Sequence, residues 1–203
     1  MTFTTPYPGY DVLDKWRSPS FNERTREVIA ARLNDVPPRR FLTPEEWSLL
    51  EAIVARLIPQ PERERPVPIT PWVDEMLAEN RGEGFRYEGM PSLRDTWRRG
   101  LSGMEAEAAR EHGSGFASLT PDLQDAVLAT VQNGDVDPAL WTGLPPQRFF
   151  THVLLKTVAG IYYAHPAAWS EIGFGGPASP RGYVRMGADR RDPWEAVEVR
   201  GDD

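Results

Sequence analysis

Residues 145–166, PPQRFFTHVLLKTVAGIYYAHP, decide the fold class. Phe149, Phe150, Val153, Leu154, Leu155, Val158, Ile161, Tyr162 and Tyr163 cover most of the circumference of one helix running from Pro145 to about Ala164. A helix apolar nearly all round is buried on most sides. This segment is therefore either the centre of a helical bundle or a helix lying between this protein and another.

The same grammar repeats on the N-terminal side. Thr43-Pro44, Thr70-Pro71 and Thr120-Pro121 each read as a helix start. Thr caps the free amides, and Pro suits the first turn because its missing N–H would be unpaired there anyway. Thr43 and Glu46 have the spacing of a capping box. The helix they open carries Trp47, Leu50, Ile53, Val54, Leu57 and Ile58 on one stripe and stops at Pro59. Ser20 and Glu23 open an earlier helix bearing Phe21, Val28, Ile29 and Leu33. TPWVDEMLAEN (70–80) reads as a short helix ending near Gly82. A longer one bears Leu93, Trp97, Leu101, Met104 and Ala108 and ends at Gly113; another bears Leu123, Val127, Leu128 and Val131 and ends at Gly134. No stretch alternates as a strand would. The expected fold is all-α, with about six helices in an irregular bundle. The boundaries are an N-terminal arm with one helix (1–42), a helical domain (43–165) and an extended partner-binding tail (166–203).

Composition narrows the function. The net charge of −7 and the interleaving of Arg with Asp and Glu leave no basic stripe, which argues against nucleic acid. The absence of Cys excludes disulfides, thiolate metal sites, iron–sulfur clusters, attached haem and a thiol nucleophile. No apolar run approaches the ~20 residues of a membrane span. Arg39-Arg40-Phe41-Leu42 resembles an export motif, but Thr-Pro-Glu-Glu-Trp follows where an apolar segment is required. The N-terminal MTFTTPYPGYDVLDKW has neither a basic start nor an apolar run, so a cytoplasmic location is expected.

No strong catalytic constellation appears. His112 ends a helix, where a cation suits the dipole. His152 stands four residues before Lys156 on the polar edge of the apolar helix, the place for a hydrogen-bonded imidazole. His165, before Pro166, is the one weak catalytic candidate. The short spacing of paired His that zinc needs is missing, and the Gly-rich segments 82–89 and 173–177 do not sit between a strand and a helix, as a nucleotide cradle would. The tail WSEIGFGGPASPRGYVRM (169–186) is too rich in Gly and Pro for a helix, yet rich in aromatics and Arg. Trp169, Phe174, Tyr183 and Trp194 can bury apolar area, while Arg181, Arg185, Arg190 and Arg191 can donate charge-assisted hydrogen bonds. With Tyr162, Tyr163 and His165, these residues mark the expected partner-binding surface.

Three blocks carry a family resemblance: RRFLTPEEWSLLEAIVARLIPQ (39–60), FFTHVLLKTVAGIYYAHP (149–166) and the tail just quoted. Together they resemble the gluconate 2-dehydrogenase subunit 3 family, over most of residues 39–187. The resemblance implies a small helical subunit, with no cofactor or catalytic site of its own, bound to a large catalytic subunit. That partner is implied to be an FAD-dependent enzyme of the glucose–methanol–choline type, oxidising a sugar, glycoside, sugar acid or polyol. The small subunit is implied to help fold or stabilise it. Many such chains begin with a twin-arginine signal, from which this one departs. Two other readings stay open: a stand-alone helical enzyme using His165, Glu171 and Arg181, and a transient assembly chaperone for the flavin subunit.

Overall fold

The computed structural model describes residues 5–61, 63–82, 84, 87–179, 181–182 and 194–199. Among them the secondary structure is helical apart from one isolated parallel bridge, between Phe21 and Ser179, so the fold is all-α. No helix among them is long and apolar enough to cross a membrane. The chain forms two compact units, residues 37–161 and residues 1–36 with 162–203. The arm and the tail, set apart in the sequence reading, thus share one unit.

The 37–161 unit is built around α4 (Leu93–His112). It packs against α2 (Pro44–Leu57) and α5 (Pro121–Asn133), while α3 (Ile69–Ala78) lies on α2. The stripe expected on α4 is inside: Trp97, Leu101, Met104 and Ala108 are buried. Two glycines in this helix, Gly100 and Gly103, let aromatic rings come down onto its backbone. A β-carbon at Gly100 would lie 2.1 Å from Phe149 Cζ, and one at Gly103 would lie 2.8 Å from Trp141 Cε2. Phe149 meets Trp97 edge to face at 6.1 Å. Trp141 is held by a buried carboxylate, Glu107, which accepts from the indole N–H at 3.1 Å and from the Asp137 amide at 2.9 Å.

Phe149 comes from the apolar segment that opens the sequence reading. α6 (Pro146–Arg148) leads into a π-helical stretch, Phe149–Leu155, and then into α7 (Lys156–Tyr163). Phe149, Phe150, Leu154, Val158 and Tyr162 are buried, whereas Val153, Leu155 and Ile161 are half-buried and Tyr163 is exposed. Burial is thus one-sided rather than all round. The wider π turn brings Phe149 and Leu154, five residues apart, onto one face, where an α-helical step would separate them.

The Thr43 capping box forms, with Glu46 N–H donating to Thr43 Oγ1 and Thr43 N–H to Glu46 Oε2. Gly113 and Gly134 close their helices in the left-handed conformation. Two expected starts shift. α3 begins at Ile69, so Thr70 is its buried second residue and Pro71 its third; a first-turn proline is tolerated at any position lacking an intrahelical N–H bond and does not fix the first one. α1 (Glu23–Asn34) is capped by Asn22, which accepts from the Thr25 amide at 2.8 Å, and Ser20 is instead fully buried before it. Asp74, also fully buried, accepts the backbone N–H groups of Arg40, Phe41 and Leu42 at 2.6, 3.0 and 2.7 Å, fixing the loop that enters α2.

The smaller unit joins a 3-10 turn (Val12–Arg17), α1, the end of α7 and α8 (Pro166–Glu171). α8 corrects the expectation that the tail holds no helix. His165 caps it and Pro166 takes its first position, while the Gly and Pro that disfavour helix gather after Ile172.

At an ordinary helix site Gly→Ala stabilises, by up to about 1 kcal/mol. Gly100→Ala should do the opposite, costing about 1–3 kcal/mol because the new methyl meets the Phe149 ring. Urea denaturation of the variant checks the sign.

Candidate partner-binding surface

The expected partner residues gather in the smaller unit, and its core explains how they are held. Val12, Phe21, Ile29 and Trp169 form a buried cluster, with Tyr10, Leu13, Trp16 and Leu33 packed around it. α8 drives Trp169 into this cluster, where its indole N–H donates to the Tyr163 carbonyl at 2.7 Å. The chain then turns back over the indole. Phe174 lies edge to face on it at 5.8 Å, and at Gly176 (φ +64) a β-carbon would sit 3.2 Å from the Trp169 ring and 3.0 Å from Val12. The glycines of GFGGP therefore serve close packing: a β-carbon at Gly173 (φ +68) would meet the Tyr7 ring at 2.7 Å.

Hydrogen bonds tie the arm to the tail along its length. Thr5 Oγ1 donates to the Glu171 carbonyl at 2.6 Å, the Val12 amide to Ser170 Oγ at 3.1 Å, and the buried Lys15 ammonium to the Gly175 carbonyl. The Ser179 amide donates to the Ser20 carbonyl and the Asn22 amide to the Ser179 carbonyl, both at 2.9 Å. Ser20 is buried because it is one side of this pairing. Tyr10 Oη donates to the Trp194 carbonyl at 3.2 Å; burial, and then the carboxylates of Asp11, Glu195 and Asp14, push its phenol above the ordinary tyrosine value.

The predicted residues separate into two groups. Trp169 and Tyr162, each 5% exposed, are structural: Tyr162 Oη donates to Glu171, joining the end of α7 to α8. His165 Nδ1 accepts the Ala167 amide at 3.2 Å as the N-cap of α8. Arg181 Nε donates to Ser20 Oγ at 3.0 Å. The trio His165, Glu171 and Arg181, considered for a stand-alone enzyme, is thus engaged in capping and bracing. Tyr163, Phe174 and Trp194 are instead exposed, at 48, 43 and 39%. Tyr183 and Arg185, with Arg190 and Arg191, lie outside the described residues.

Sequence reasoning missed Ile172, Val197 and Val199, which are also exposed. Of the large apolar side chains that stand exposed among the described residues, only Leu123 lies outside this unit. Val197 and Val199, flanking Glu198, carry the only available signal, an alternation too short to assign to a face.

A family model described as Gluconate 2-dehydrogenase subunit 3 matches residues 44–176, well over half of the chain, and the chain belongs to that family. The match runs from the first residue of α2 to the glycine packed on Trp169. No curated protein and no solved structure matches the chain.

Trp169→Ala should destabilise the smaller unit by about 3–5 kcal/mol, the cost of emptying an aromatic core site. Phe174→Ala, starting half-exposed, should cost much less. Thermal unfolding of the two variants, read against wild type, checks the ranking.

Proposed function

From membership in this family we propose that the chain is the non-catalytic small subunit that binds and stabilises a large FAD-dependent dehydrogenase or oxidase of the glucose–methanol–choline type. The partner carries the flavin and oxidises a sugar, glycoside, sugar acid or polyol; this chain supplies a docking surface. The observation that carries the reading is the concentration of exposed apolar side chains on the unit made by the arm and the tail. Soluble monomers seldom expose contiguous apolar patches beyond a few hundred Å² unless the patch is used. Tyr163, Ile172 and Phe174 lie within one short segment whose backbone is pinned by Trp169 and the arm, so they are presented without ordering a free tail. Such pre-organisation lowers the entropic cost of binding.

The test is purification of the tagged chain from its native cell. A stoichiometric, yellow, flavin-bearing partner of several hundred residues is expected. A partner that co-purifies only during synthesis of the large subunit would favour the assembly chaperone. A monodisperse monomer with turnover of its own would overturn the subunit reading.

Phe174→Ala and Tyr163→Ala should each weaken the purified complex by about 2 kcal/mol, near thirtyfold in Kd, if they are interface anchors. The melting temperature of the isolated variants should change little. Titration of the variants against the large subunit measures the loss directly.

A further inference from the structure

The arm has little structure of its own. Before α1 its one regular element is the six-residue 3-10 turn, Val12–Arg17. The tail offers α8, also six residues long. Helices this short do not persist in water unless something packs on them. What orders the two segments is therefore the seam between them. Four backbone amides mark it. Val12 donates to Ser170 Oγ at 3.1 Å and Val199 to the Pro6 carbonyl at 2.8 Å, while Asn22 donates to the Ser179 carbonyl and Ser179 to the Ser20 carbonyl, both at 2.9 Å.

Such a seam closes as a whole or not at all. Ordering so long a segment costs more than any single hydrogen bond across it returns. Lys15 sharpens the transition. With the seam shut its ammonium is buried, donating to the Gly175 carbonyl and lying 5.9 Å from the centre of the Phe21 ring. A half-shut arm would take that charge out of water before bringing it to the carbonyl, so intermediate positions are penalised. The core of the larger unit takes no part in this. Its aromatic centre, Trp97, Trp141 and Phe149, contains no residue of the arm or the tail.

We infer that residues 5–22 are a latch on the docking surface: arm and tail open and shut together as one cooperative unit, without unfolding the 37–161 unit, and only the shut form binds the partner. With the latch shut, Trp169 is held against Val12 and Phe21, and the segment bearing Tyr163, Ile172 and Phe174 keeps the conformation that displays them. With it open, Trp169 loses both neighbours and the display collapses. Closure and docking are then linked, so a partner that holds the shut form stabilises the arm even where it does not touch it. The inference rests on the docking reading proposed above.

Native-state hydrogen exchange on the full chain, followed by NMR, tests the latch before any partner is added. The amides of Val12, Asn22, Ser179 and Val199 should share one protection factor, about a hundredfold or more below that of the amides buried in α4. Phe21→Ala should lower all four alike, by about a hundredfold or more, and leave α4 unchanged. Val12→Ala, a smaller loss in the same cluster, should give a smaller drop, again common to all four. Wild-type protection at Ser179 and Val199 in both variants, or α4 losing protection together with the seam, would overturn the inference. Titration with the large FAD-dependent subunit then reads the link. The Kd of Phe21→Ala should rise by the reciprocal of the closed fraction that exchange reports, so that a chain one-tenth closed binds about tenfold more weakly. Full affinity in a chain whose seam stands mostly open would overturn the latch alone. Failure of the wild-type chain to bind would overturn the docking reading, and the latch with it.

Discussion

The close approach of Phe149 to the backbone of α4 is the constraint on which the larger unit depends. Gly100 leaves room for the ring, Gly103 does the same for Trp141, and Trp97 closes the cluster from the side. Two glycines inside a helix are locally unfavourable, by about 1 kcal/mol each. They persist because aromatic area buried against bare backbone offsets that cost. The polar groups follow the same geometry. The carboxylate of Glu107 is buried where it satisfies the indole N–H of Trp141, and Arg110, at 2.7 Å, completes its partners. The π-helical turn then lets one continuous segment place Phe149, Phe150 and Leu154 on the core side.

The smaller unit solves a different problem. Its two halves come from opposite ends of the chain and neither has enough apolar residues for a core alone. Val12, Phe21 and Ile29 from the arm close over Trp169 from the tail, and glycines at 173 and 176 let the returning chain pass close to Tyr7 and the indole. The cost is exposure. With Trp169 filling the cluster, Ile172 and Phe174 after it keep much of their surface in solvent, Phe174 with its ring edge to face on the indole. This is how a Gly- and Pro-rich stretch comes to be ordered and apolar on its outside.

The helices of the larger unit were legible because their signals are local. Thr43 with Glu46, and glycines past α4 and α5, mark ends through bonds made within a few residues. What escaped is non-local. The arm–tail pairing depends on residues more than 150 positions apart, so Ser20 reads as a helix cap when its carbonyl accepts the Ser179 amide beside the Phe21–Ser179 bridge. Trp169 reads as an anchor because its burial depends on the distant arm. Tyr163 and Phe174 stand exposed while Trp169 and Tyr162 face inward, and nothing in the sequence separates the two pairs. Gly100 and Gly103 were the missed clue: interior glycines in an otherwise strong helix announce a close packing partner.

The family makes this chain a subunit of a dehydrogenase complex, and we propose that the unit made by both ends of the chain is the part that docks its partner. Hydrogen exchange of the chain alone and in complex with the large subunit tests that claim most directly. The account predicts new protection at residues 163–174 and 194–199, with the helices of the 37–161 unit little changed. Protection confined to residues 37–161, with the 163–174 segment exchanging as in the free chain, would contradict it.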